Sequence, residues 1–143
     1  MPVILRLTSP TAADLADINA LLAQLAPDAR ALILSQLDDL TAAPTHDLLI
    51  TRGESGRIVG MTLLVVAGKL SGVQAWIEDV AVDAVRRNRG LGEALVKAAV
   101  ETARLHGASC VDLTSRPERE AANRLYERLG FEKRETNVWR RKI

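Results

Sequence analysis

Cysteine occurs once in the 143 residues, at Cys110. No internal disulfide can form, and a tetrahedral cysteine zinc site is excluded. Aromatic side chains are nearly as scarce, with Trp76, Tyr126, Phe131 and Trp139 making up the whole set. That is too thin for the base-stacking platform of a nucleic-acid binder. No apolar run approaches the ~20 residues of a bilayer span. Met1-Pro2-Val3-Ile4-Leu5-Arg6 lacks the basic lead and long apolar stretch of a secretory leader. A reduced, cytoplasmic compartment and no membrane are therefore expected. Repeats and low-complexity linkers are absent too, which predicts one domain over residues 1–143. A chain of this length buries roughly 70% of its unfolded surface without staples.

Charge of one sign is also missing overall, since the net charge is +1. The balance hides a split. Residues 1–85 carry five Lys/Arg against ten Asp/Glu, and residues 86–143 carry fourteen against eight. A basic half in a neutral chain suggests a local anionic ligand, and a small polyphosphate suits it better than nucleic acid.

Hydrophobic periodicity supplies the elements. Val3–Leu7 reads as a strand closed by Ser9-Pro10. Thr11 and Asp14 form a capping-box pattern ahead of Leu15, Ile18, Leu21, Leu22 and Leu25, which share one helical face. Asp28 is placed to cap a second helix from about Ala29 to Leu40. Strands follow over Asp47–Arg52 and Arg57–Ala67, joined at Gly53-Glu54-Ser55-Gly56, then over Val73–Val82. A helix from Arg89 to His106 ends at Gly107, and Cys110–Thr114 is a short strand. Ser115 and Glu118 predict a capped helix that ends at Leu129-Gly130, with Phe131 folding back on Tyr126. Phe131–Arg141 reads as a hairpin-like stretch. The strand–helix–strand unit from Val73 to Thr114 requires a crossover between parallel strands. The fold class is α/β, of the α+β type.

Arg86-Arg87-Asn88-Arg89-Gly90-Leu91-Gly92-Glu93 lies at a strand-to-helix junction. The first helical turn leaves backbone N–H groups unpaired, and Gly90 and Gly92 remove side chains where an anion must approach. Three guanidinium groups add countercharge. The dinucleotide fingerprint lacks its third glycine and the Walker Lys-Ser/Thr pair is absent. Glycines that merely ease helix packing beside a solvated arginine cluster are the alternative.

Three stretches together resemble the GNAT superfamily of acyl-CoA N-acyltransferases. Arg87-Asn88-Arg89-Gly90-Leu91-Gly92 is similar to that family's cofactor motif. Ile77-Glu78-Asp79-Val80-Ala81-Val82 is similar to its preceding strand, and Ala122-Asn123-Arg124-Leu125-Tyr126-Glu127-Arg128-Leu129-Gly130-Phe131 to its late helix. Ile77–Asp83 and Trp139-Arg140-Arg141 also resemble, more weakly, the hexosamine-phosphate N-acetyltransferases. The resemblance implies a twisted mixed sheet of six to seven strands with about four helices, its central strands splayed to make a cofactor slot. It implies acetyl-CoA as cosubstrate, with the diphosphate on the amides of Arg87, Asn88, Arg89, Gly90, Leu91, Gly92 and Glu93. The pantetheine arm would pair with Val80, Ala81 and Val82, and Asn123 and Tyr126 would add cofactor contacts. No metal is implied.

Acetyl transfer needs a neutral amine, and an alkyl ammonium with a pKa near ~10.4 must first lose a proton. Glu78 is the candidate base, with Asp79 or an arginine-paired structural carboxylate as alternatives; regular alternation would send Glu78 and Asp79 to opposite faces. The Val80 N–H is a candidate oxyanion donor. Tyr126 matches the family's general acid, or else packs on Phe131 as a core aromatic, or does both. Cys110 is expected in the core. The acceptor is expected to be a small primary amine, with a protein or peptide amine as alternative. A non-catalytic coenzyme-binding sensor or interaction module is the competing class. Trp139 suits either a homodimer contact or the core.

Overall fold

Thr11 opens the first helix by the box its sequence predicts. Its hydroxyl accepts from the Asp14 N–H at 3.1 Å, and the Asp14 carboxylate accepts from the Thr11 N–H at 3.0 Å. The computed structural model describes residues 1–143 as two compact units, Met1–Leu113 and Thr114–Ile143.

In the first unit the order is β1 (Leu5–Arg6), α1 (Ala12–Leu25), α2 (Leu34–Ala42), β2 (His46–Arg52), β3 (Ile58–Lys69), β4 (Gly72–Val82), a 3-10 turn (Ala84–Arg86), α3 (Leu91–Leu105) and β5 (Val111–Asp112). The strands form one sheet in sequence order, antiparallel except for the parallel β4–β5 pair that the α3 crossover creates. Both faces are covered. Ile18, Leu21 and Leu37 from α1 and α2 join Leu48, Ile50, Ile58, Met61 and Ala81 in one cluster. On the other face α3 packs through Leu95, Val96, Ala99 and Ala103, each fully buried. Gly60 permits that approach, because a Cβ there would stand 3.1 Å from Leu95 Cδ1 and 3.0 Å from Thr51 Cγ2.

Long-range ion pairs tie helices to sheet. Arg52 bonds Asp14 and Arg57 bonds Asp17, each at 2.9 Å, so α1 grips both arms of the β2–β3 hairpin. Asp47, with 2% of its side chain exposed, joins Arg6 of β1 at 2.6 Å to His106 at the end of α3 at 2.7 Å.

In the second unit α4 (Glu120–Arg128) ends as its Gly130 predicts. Gly130 takes φ 86°, and the Phe131 N–H bonds the Tyr126 carbonyl at 3.0 Å. The Tyr126 and Phe131 rings meet edge to face at 5.8 Å.

Several expectations need correction. The sheet has five strands, not six to seven, because residues 131–143 form no hairpin. Seven of those thirteen residues are charged, and Phe131, Val138, Trp139 and Ile143 define no alternating apolar face to bury. α2 begins at Leu34 rather than Ala29, and Asp28 does not cap it. The Asn19 carboxamide instead holds both the N–H and the carbonyl of Leu32, at 2.8 and 3.0 Å, which keeps that segment out of the helix. α4 starts at Glu120 rather than Ser115. Pro117 disfavours helix at Arg116, and the Ser115 hydroxyl has no hydrogen-bond partner, so no box forms. Cys110 is exposed, since it precedes a two-residue edge strand rather than lying in the core. Trp139 is exposed, which removes its core reading.

Candidate active site

The central feature of the first unit is a break in β4. Across the β3–β4 ladder Leu63 faces Glu78 but Met61 faces Ala81, so β4 holds one residue more than β3 over that span. Asp79 absorbs the excess in the left-handed region, at φ 53°, which Asp tolerates better than most residues. Thr62, wholly buried opposite the break, donates its hydroxyl to the Glu78 carbonyl at 3.0 Å. The bulge overturns the regular alternation expected for this strand. Glu78 shares the ladder face of Ala81 rather than opposing it, and Glu78 and Asp79 are both exposed.

The sheet also opens here. β5 pairs with β4 only at Ala75↔Val111 and Trp76↔Asp112. Beyond Trp76, β4 continues to Val82 with no strand on that edge. The backbone of Val80, Ala81 and Val82, half-buried or buried at the side chain, thus has no strand on one side, where an extended amide-bearing ligand could pair; the Val82 carbonyl takes a long contact from Arg87.

β4 then leads through the 3-10 turn into the N-terminus of α3. Asn88 at φ 63° and Gly90 at φ 75° both adopt left-handed backbone. Gly90 is the N-cap and offers no side-chain bond to the first turn, while Ala94 N–H to Gly90 carbonyl at 3.0 Å is the first helical bond. The amides of Leu91, Gly92 and Glu93 therefore precede the intrahelical ladder, with the positive end of the helix dipole behind them. Nothing lies within 4 Å of where a Gly90 Cβ would stand. An uncapped first turn with open space before it fits a diphosphate. The Glu93 carboxylate is drawn off to Lys97 at 2.7 Å.

The three guanidinium groups do not act alike. Arg89 is exposed. Arg87 lies along its own strand end, its Nε 3.4 Å from the Val82 carbonyl, a long contact. Arg86 turns back against the β2–β3 hairpin, where its guanidinium lies 3.7 Å from a Cβ built at Gly53.

Tyr126 and Asn123 stand on α4 of the second unit. Burial of the Tyr126 hydroxyl raises its pKa above the usual tyrosine value, and the positive charge of Arg119 only partly offsets this. The phenol keeps its proton at neutral pH and can donate it. Asn123 Nδ2 bonds the Arg116 carbonyl at 3.0 Å, leaving its side-chain oxygen for another partner.

The bulge was not legible in the sequence, because it depends on pairing between distant strands; splayed central strands were implied by the family resemblance alone and not by the residues themselves. The one local hint is Asp79 beside Glu78, two poor strand formers adjacent in an apolar strand. No group of three or more His, Cys, Asp or Glu could hold a metal ion. No helix is long and apolar enough to cross a membrane.

Comparison with known proteins identifies the family and the fold. A mycothiol acetyltransferase of Clavibacter michiganensis subsp. michiganensis is 35% identical over 137 residues, covering 92% of this chain and 44% of that protein. The chain thus spans less than half the length of the curated relatives it matches there. The crystal structure of a Trypanosoma brucei acetyltransferase superposes with a TM-score of 0.80 at 29% identity, over 98% of this chain and 99% of that one. The aminoglycoside acetyltransferase AAC(6')-Iy, in complex with a bisubstrate analogue, shares the fold at a TM-score of 0.82 and 20% identity, over 100% and 99% of the two chains. The model of the acetyltransferase (GNAT) family matches residues 17–131, and the chain belongs to that family.

Proposed function

We propose that residues 1–143 constitute one N-acetyltransferase domain, moving an acetyl group from acetyl-CoA to a primary amine by direct attack in a ternary complex. The observation that carries this reading is the pairing of two backbone segments joined by the 3-10 turn: the β4 edge at residues 77–82, which no strand covers, and the uncapped first turn of α3. A diphosphate on the amides of Arg87 to Glu93 and an amide-bearing arm beside Val80 to Val82 would use both.

Acetyl-CoA supplies an activated thioester; the chain's residues handle protons and charge. Glu78, exposed at the bulge, accepts the proton of the incoming ammonium, directly or through one water, with Asp79 as the alternative acceptor. As the C–N bond forms and the C–S bond breaks, the Val80 N–H stabilises the developing oxyanion. Tyr126 gives its proton to the departing sulfur, a role assigned by its motif position and suited to a phenol held neutral by burial. Asn123 contributes to coenzyme binding by the same resemblance.

A small-molecule amine is the favoured acceptor, and two of the relatives are named mycothiol acetyltransferase. A protein or peptide amine is the alternative acceptor. The location is proposed as cytoplasmic, and exposed Trp139 is available for a homodimer contact.

Acetyl-CoA is expected to raise the melting temperature while duplex DNA does not. An amine panel read by free-thiol release then identifies the acceptor class; turnover only with protein substrates would remove the small-molecule reading. Tyr126→Phe should lower turnover about tenfold or more with coenzyme affinity retained. Coenzyme binding without thiol release on any amine would favour the sensor class.

A further inference from the structure

Outside the open β4 edge, the first unit holds a recess of about 230 Å³. Its walls are α1 (Asp17, Ala20, Leu21, Gln24), the start of β3 with its hairpin (Ser55, Arg57, Ile58, Val59), and the turn after β4 (Asp83, Val85, Arg86). Glu78 is not among them, so the recess lies apart from the bulge. The volume is below the ~300–1,000 Å³ typical of drug-sized ligand pockets, which limits an occupant to a small metabolite-sized molecule.

Two of its four charges are already committed. Arg57 and Asp17 pair at 2.9 Å, and the second Asp17 oxygen accepts from the Ile58 N–H at 3.0 Å. The other two are not. The guanidinium of half-buried Arg86 makes no hydrogen bond or ion pair, although it is turned inward against Gly53; only the Arg86 N–H is bonded, to the Asp83 carbonyl at 2.8 Å. Asp83 uses one oxygen to accept from the Val85 N–H at 3.3 Å, and its other oxygen has no partner. One free cation, one free anion and an apolar floor of Ala20, Leu21, Ile58 and Val59, with exposed Val85 at its edge, match a specific chemistry.

We propose that this recess binds a small zwitterion with a short apolar side chain, an α-amino acid of leucine size, as an effector next to the coenzyme turn. The ligand carboxylate meets Arg86, its ammonium meets Asp83, and its side chain lies on the apolar floor. Asp83 and Arg86 bracket the 3-10 turn that joins β4 to Arg87–Gly92, and Gln24 of α1 already anchors that turn by accepting from the Ala84 N–H at 3.0 Å. A ligand bridging the turn restrains the backbone that enters the phosphate-binding amides. Its binding is therefore linked to that of coenzyme, by the same factor in both directions. This linkage rests on the proposed coenzyme site; the binding itself does not.

Calorimetric titration of leucine into the coenzyme-free protein is the first test. Saturable binding at millimolar ligand is expected, weakened about tenfold or more when the ligand lacks one charge, as in 4-methylpentanoate or 3-methylbutylamine. Arg86→Gln should weaken leucine and 4-methylpentanoate together, whereas Asp83→Asn should weaken leucine and spare 4-methylpentanoate. Absence of saturable binding, or equal affinity for all three ligands, overturns the site. Leucine binding that acetyl-CoA leaves unchanged overturns the effector role while the recess stands. If acetyl-CoA itself fails to bind while leucine binds, the coenzyme reading and the linkage fall together and the recess again stands.

Discussion

Thr62→Val removes one hydroxyl from beneath the β4 bulge and keeps the side-chain shape. Thr62 is 0% exposed, and its only side-chain bond runs to the Glu78 carbonyl at 3.0 Å. Because Glu78 itself is exposed, solvent can partly replace the lost donor, which places the cost near an ordinary net hydrogen bond, about 0.5–1.5 kcal/mol. Unfolding entropy of roughly 2.1 cal/mol/K per residue gives about 0.3 kcal/mol/K for a chain of this length, so the melting temperature should fall by ~2–5 °C. The larger consequence is local. The bulge sets the position of Glu78, the proposed base, and of the Val80 N–H, the proposed oxyanion donor, and a displacement near 1 Å at reacting groups can cost up to ~100-fold in rate. Turnover by free-thiol release should therefore drop about tenfold or more with acetyl-CoA affinity little changed. Thr62→Ser is the control, because it keeps the hydroxyl and loses the methyl. Equal turnover in the valine and serine variants would refute the claim that this hydroxyl holds the bulge.

Gly60→Ala should destabilise by about 1–3 kcal/mol, since its Cβ would meet Thr51 and Leu95 at 3.0 and 3.1 Å; chemical denaturation measures it. Asp47→Asn should cost about 1–3 kcal/mol by loosening β1 and the end of α3 together, and rapid hydrogen exchange at β1 amides is the matching readout. Two groups contribute to the pH dependence of stability. Burial alone would raise the Asp14 pKa, but the hydrogen bonds from Arg52 and the Thr11 N–H outweigh it and hold the carboxyl below its ordinary value. Its contribution is present above the unfolded pKa near 3.8 and is lost as pH falls through the lower folded value, so Asp14→Asn should flatten the acid limb of a pH–stability curve. Tyr126 is shifted the other way: its raised pKa favours the neutral phenol in the fold, so its contribution declines as pH rises above about 10, and Tyr126→Phe should flatten the alkaline limb.

Local chemistry was enough for the Thr11 box, the glycine stops at Gly107 and Gly130, the hairpin at Gly53–Gly56 and the crossover around α3, because each depends on residues near in sequence. The motif from Arg87 to Gly92 and the late helix with Tyr126 likewise point to the family from sequence alone. Tertiary structure alone decided the rest. The bulge at Asp79 depends on how β3 pairs with β4, the open edge on how soon β5 leaves β4, and the direction of Arg86 on a hairpin more than thirty residues away. The Asp47 junction joins residues from three elements for the same reason. Periodicity and capping are read along the chain, whereas register and the partners of a buried charge are set by whichever distant segments fold against it.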